Sequence, residues 1–396
     1  MQRNLLLGSC LAVLLTTVGC QDQRTEPSSP ATGTAAELSK QPSPLAHLKR
    51  QHGRLKLPPS AWVADLRVPK ATRKVIDPGD YVCDPNPSPL INIVINDVNE
   101  FATEEPAIFD LIFNDLWADL IPGWEAQFLL TGDTPQSFGY RGQYTKILLK
   151  TERDTKRFWD IPSDDILLLA MKGTMLNDPQ RVATTYQLPF IPPFFGLSES
   201  DANFVAGLVR DAMLQSEVLD GGNHSLFSFN AFAFGTADGS IQQRIVMGDA
   251  ILEAYDALGF GDVAPQAVYV HEFGHHIQFE NDYFNDPVPG ATTQAELTRY
   301  TELMADAMAG YYLTHSRGAA MNRKRVEQFL EVFFQVGDCA FVDPGHHGTP
   351  NQRMTAARFG FDVADQAHKQ GHILTSEQFH DLFVAAYPQL IAPDAT

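Results

Sequence analysis

An α+β fold, mainly helical with a small antiparallel sheet and preceded by an α/β N-terminal region, is predicted by three features of this 396-residue chain. Between residues 249 and 386, apolar positions recur at helical spacing in six successive segments. Residues 225–234 and 241–247, separated by Ala237, Asp238, Gly239 and Ser240, carry the pattern of one hairpin. Before residue 195, short apolar runs alternate with helical stretches.

Composition bounds what such a chain can be. At 44% hydrophobic and 19% charged it is long and apolar enough for one large or two ordinary domains, not a disordered scaffold. Its 29 Lys+Arg against 48 Asp+Glu leave a net charge of -19, which repels phosphate backbones and argues against nucleic acid as a partner.

In chain order, residues 1–19 have the form of a signal peptide. Arg3 gives the positive start, residues 5–15 an apolar run too short to span a bilayer, and small residues lead to Cys20. The succession Thr17, Val18, Gly19, Cys20 resembles a bacterial lipobox, which implies cleavage after Gly19 and lipidation of Cys20, although Thr17 stands where the motif has Leu. An ordinary signal peptide is the other reading. Either form places the mature chain outside the cytoplasm, and the lipobox form anchors it to a membrane. Gln21 after the cysteine implies, by the same resemblance, the periplasmic face of the outer membrane in a Gram-negative host. Residues 20–75, rich in Pro, Ser and Thr, read as a flexible, lipid-anchored linker.

Residues 76–195 form the N-terminal region, with strands expected at 90–95, 146–149 and 166–170, a helix near 105–120, and no motif that assigns chemistry. The Pro- and Phe-rich stretch 188–195 marks a boundary to a second domain at 196–390. There the hairpin is followed by helices at about 249–258, 265–281, 293–316, 321–335, 350–369 and 376–386. Thr293 with Glu296, and Thr349 with Pro350 and Gln352, carry helix-start signatures. Cys83 and Cys339 either pair in an oxidising compartment or remain two buried thiols; spacing does not choose.

The chemistry lies in His271, Glu272, Phe273, Gly274 and His275, a pattern written HExxH. Residues four apart on a helix stand one above the other, so the two imidazoles can chelate one zinc ion. Glu272, beside that pair, can take a proton from a water held by the metal and pass it to a leaving amine. Val270, Phe273 and Ile277, at helical spacing, should anchor the opposite face in the core.

The third ligand follows by elimination. One zinc-protease class adds a Gly and a third His after the motif, but those positions hold Gln278 and Asn281. The common alternative takes Glu from a following helix, and Glu302 is the candidate, with Ala305 and Ala309 on its face allowing close approach. Asp306, one turn on, is placed to accept a hydrogen bond from a ligating imidazole. Glu296 competes for the ligand role but is better explained as a helix-start carboxylate.

These pieces resemble a known family, the bacterial neutral zinc metallopeptidases, within the zincins that use a Glu third ligand. The likeness runs over about residues 200–365: 270–278 around the motif, 302–306, Gly337 with Asp338, and 347–353. It implies a zincin-like metallopeptidase domain, ligation of one Zn2+ by His271, His275 and Glu302, catalysis by Glu272, and a peptide or protein substrate. Cys339 departs from the family, which has a second Asp there.

Other residues admit two readings. His347 either donates a hydrogen bond to a tetrahedral oxyanion or is a solvated loop histidine, and Arg353 could brace that loop or the substrate. His276 reads as packing or a pocket wall. Residues 229–234 resemble the edge strand along which zincins bind extended peptides, or form a plain core hairpin. For the whole, the alternative to a zinc endopeptidase is a zinc-binding lipoprotein acting as an envelope assembly factor or chaperone.

Overall fold

The computed structural model describes residues 81–394 except 85, 192–195, 237–238, 289–290, 292, 342 and 371, and the side chains of 367–370. The expected signal peptide, Cys20 and the linker lie outside the described residues.

The first helix, α1 (Pro89–Glu104), corrects the strand expected at 90–95. Ser88 caps it, its hydroxyl accepting from Ile91 N at 3.2 Å, and Pro89 opens the first turn. Its buried residues are Leu90, Val94, Val98 and Phe101, a stripe of helical period that a six-residue window hides. The strand expected at 146–149 is likewise helix, because Leu148, Thr151, Thr155 and Phe158 form the buried face of Thr145–Phe158. The helix expected near 105–120 is broken into α2 (Pro106–Phe109), a π-turn (Asp110–Asp115) and a 3-10 turn (Ala118–Leu120), with Trp117 at φ 53° between the last two.

After these come α3 (Ile121–Phe128), α4 (Thr145–Phe158), β1 (Leu167–Met171), α5 (Pro179–Tyr186) and α6 (Glu199–Gln215). Next are β2 (Ala231–Phe234), β3 (Arg244–Gly248), α7 (Asp249–Ala257) and α8 (Ala264–Glu280). The chain ends with α9 (Gln294–Thr314), α10 (Arg323–Gln335), α11 (Pro350–Gln370) and α12 (Ser376–Leu390). The six helices expected after residue 249 are all present, and both helix-start signatures form capping boxes.

The α+β class holds, but the sheet is mixed rather than antiparallel. In the order β1-β3-β2, β2 pairs antiparallel with β3 while β1 runs parallel to it, Leu167 opposite Arg244 and Met171 opposite Gly248. A parallel partner needs a long crossover, here through α5 and α6, and no local pattern announces it. Strand β1 belongs to the N-terminal region, so that region and the helical part share one sheet, and the apolar core runs from Leu90 to Leu390. Alternation splits the sheet residues: Leu169, Met171 and Val246 face Ala126 of α3, while Leu168, Ala170, Ile245 and Met247 join the main core.

Helix α8 sits at the centre. It is buried on nearly every side rather than on one stripe, and Val270, Phe273 and Ile277 pack in the core as expected. His276 is packing: Nε2 donates to Arg244 O at 3.0 Å, tying α8 to β3, and Nδ1 lies 2.7 Å from the Gln243 amide. Burial drives its pKa down to about 3, so it stays neutral.

Helix α9 approaches α8 through Gly274. A Cβ there would lie 3.0 Å from Ala305 Cα and 3.2 Å from its Cβ. An exposed helical Gly→Ala change stabilises by up to about 1 kcal/mol. At this position backbone would have to yield, so Gly274→Ala is expected to lower stability by about 1–3 kcal/mol in denaturant titration.

Candidate metal centre

The centre is assembled by α8 and α9 and completed by α11. His271, His275 and Glu302 each offer one ligand atom, all within 4.8 Å of one another, and all three residues are buried. Glu302 Oε2 lies 3.3 Å from His271 Nε2, and Oε1 lies 3.4 Å from His275 Nε2. Donors about 2.1 Å from a shared ion at tetrahedral angles stand about 3.4 Å apart, so the two Glu302–imidazole separations fit a shared metal ion.

Both rings are turned by hydrogen bonds at Nδ1. His271 Nδ1 lies 2.8 Å from Asp306 Oδ1, and His275 Nδ1 2.9 Å from Gln278 Oε1. With Nδ1–H donating to those oxygens, each Nε2 presents a lone pair to the Glu302 carboxylate. Glu302 Oε1 has no hydrogen-bond donor among the described residues. Two ring nitrogens and a carboxylate converging at this spacing could hold one metal ion.

Charge gives the same answer. Three buried carboxylates, Glu272, Glu302 and Asp306, gather with one guanidinium, Arg353. Burial raises the Glu272 pKa, so Glu302 and Asp306 are the ionised pair, and they exceed the single guanidinium by one negative charge that a bound cation would offset. Burial works against a charged His271, yet hydrogen bonds to Asp306 and Glu302 push its pKa up to about 10. Glu302 is held well below the usual carboxylate range, since the adjacent His275 and His271 outweigh its own burial.

Arg353, from α11, grips Asp306 with two bonds of 2.7 Å and reaches within 3.5 Å of Glu302 Oε2. It therefore braces the carboxylate behind His271 rather than the loop before α11. Burial opposes its charge, but Asp306 and Glu302 raise its pKa further. Glu272 lies beside the ligands. Burial raises its pKa against the lowering influence of His271 and His275, and its Oε2 has no hydrogen-bond partner among the described residues. Glu296 serves the start of α9, accepting from Thr293 N at 3.0 Å, and is not a ligand.

The loop 336–349 between α10 and α11 brings His347 to the rim. Its backbone N–H donates to Asp338 Oδ2 at 2.8 Å and its Nδ1 lies 3.3 Å from the same oxygen. The side chain is about a quarter exposed at 25%, open to a ligand from solvent. A protonated His347 ring would lower the Glu302 pKa, so it lies within electrostatic reach of that carboxylate.

No family model, curated protein or solved structure matches the chain.

Three residues of the site were given no role by the sequence reading, although Gln278 and Asp338 lie in the stretches it singled out. Gln278 orients His275 and is itself fixed by donating to Thr301 O at 2.7 Å; its place three residues after a ligand in one helix was a usable signal. Asp338 holds two imidazoles, His347 and the buried His346, whose Nδ1 is 2.5 Å from Oδ1. Nothing in the local pattern distinguishes His346 from its neighbour.

Proposed function

We propose that this chain is a zinc-dependent endopeptidase of the zincin type. The observation that carries the reading is the carboxyl of Glu272, buried yet lacking a partner at Oε2 among the described residues, next to two imidazoles whose Nε2 atoms converge on Glu302. A structural zinc site gains nothing from such a base.

His271, His275 and Glu302 would hold the ion, which when bound acidifies a coordinated water and polarises a carbonyl. Glu272 takes the proton as the water oxygen attacks the peptide carbon, then delivers it to the amine nitrogen as the C–N bond breaks. Its burial suits both duties, because a base whose pKa is lifted towards neutrality also gives the proton up as an acid. His347 supplies a donor for the oxyanion. Asp306, Arg353 and Gln278 keep the imidazoles in one tautomer and orientation. Strand β2, which among the described residues is paired on one side only, offers an edge for an extended peptide, main chain to main chain. The anchor at Cys20 would keep this activity at a membrane surface outside the cytoplasm.

Protein starting after Cys20 should carry one zinc per chain by elemental analysis and cut an unstructured protein at internal bonds. A chelator should stop cleavage and added zinc restore it. Full zinc occupancy with no cleavage of any unstructured substrate would move the reading to the assembly factor.

A further inference from the structure

We infer that the Cys83–Cys339 disulfide is a positioning element of the proposed active site, acting on His347 through Asp338; this rests on the peptidase reading above. The bond joins residues 256 apart in sequence, with Cα atoms 5.9 Å apart. Cys339 follows Asp338 directly, and Asp338 is the residue that organises the loop. It bonds the backbone and ring of His347, the ring of His346 and Ala340 N, and its own N–H donates to Gly348 O at 2.9 Å.

Little else fixes that segment. Among its described residues it has no regular structure between α10 and α11, and Phe341 is the one large buried apolar side chain. On one side it rests on α9, where Thr298 Oγ1 donates to Pro344 O at 2.8 Å and Gly348, at φ 104°, comes close to Leu303. On the other side lies the strap 81–84. There Tyr81 touches Phe341 at 5.4 Å between rings and donates to Ile391 O at 3.0 Å, and Val82 N donates to Asp394 Oδ1 at 2.7 Å. Val82 is 57% exposed, so its bond is wet, while the Tyr81 contacts are partly buried; each is individually weak. The covalent bond is what turns strap and loop into one body. Segments with few buried contacts open locally at small cost, and the bond removes that freedom beside Asp338.

A donor aimed at an oxyanion acts in the transition state, so its displacement lowers kcat and leaves KM nearly unchanged. The test compares four proteins: parent, His347→Ala, Cys83→Ser/Cys339→Ser, and the combination. His347→Ala in the bridged protein is expected to lower kcat about a hundredfold, the scale of one oxyanion donor. The serine pair is expected to lower kcat by roughly ten- to a hundredfold with one zinc still bound, as for a group moved by about 1 Å. His347→Ala should then cost almost nothing more. Hydrogen exchange at the His347 and Asp338 amides should accelerate in the serine pair while α8 and α9 stay protected. If the serine pair does not fold, reduction of the folded parent by a phosphine gives the same comparison. Additive losses, unchanged kcat, or unchanged amide protection would overturn the inference. An inactive parent with full zinc would overturn the peptidase reading instead, and the exchange measurement would still decide whether the bond holds the loop.

Discussion

Glu272→Gln should reduce cleavage of an unstructured protein by about 10²–10⁴-fold, the usual contribution of a positioned acid/base group. The amide has the shape of the carboxyl and can neither take nor deliver the proton. Zinc content should stay at one per chain, because His271, His275 and Glu302 are untouched. The loss should fall on kcat, since the proton moves only in the transition state. Stability should not fall: a buried carboxyl whose pKa is raised by burial resists ionisation, and a neutral amide removes that conflict. Loss of zinc in the variant would mean that Glu272 supports the ligands instead of the reaction. Retained cleavage with bound zinc would remove Glu272 from the mechanism altogether.

What could be read in advance tracks the range of the interactions involved. His271, Glu272 and His275 are legible because one helical turn places them together, whatever the rest of the chain does. Glu302 and Asp306 needed one further inference, that a second helix comes close enough, and Gly274 against Ala305 is the contact that allows it. Beyond that, local pattern gives out. Leu90 to Ile95 read as a strand because six apolar-rich residues fit both periods, and only Ser88, Pro89 and the spacing out to Phe101 reveal the helix. The parallel pairing of β1 with β3 bridges residues far apart in sequence, as does the bond between Cys83 and Cys339. Arg353 shows the same limit within the site. Its spacing after His347 suggested a brace for the loop or the substrate, while packing of α11 on α9 sends it to Asp306.

Removing the guanidinium by Arg353→Met should lower the unfolding free energy by about 3–5 kcal/mol, the range for breaking a buried ion pair from one side. Asp306 is fully buried at 0% exposure and takes two of its three short bonds from Arg353, the third coming from His271 Nδ1 at 2.8 Å, so truncation removes its one guanidinium partner and leaves the charge poorly compensated. The second change decides between explanations. If the loss came from the aliphatic stem, Asp306→Leu on top of Arg353→Met would deepen it. If it comes from the stranded charge, the double variant should recover most of the stability in denaturant titration, since apolar replacements of a buried pair are often nearly neutral. Zinc binding should not recover with it. His271 would still lack the acceptor at Nδ1, and loss of such a partner weakens metal affinity by about 10- to 100-fold. Stability restored while metal affinity stays low is the result that would assign Asp306 to the metal and Arg353 to Asp306. Recovery of both together would show that neither residue orients the ligand.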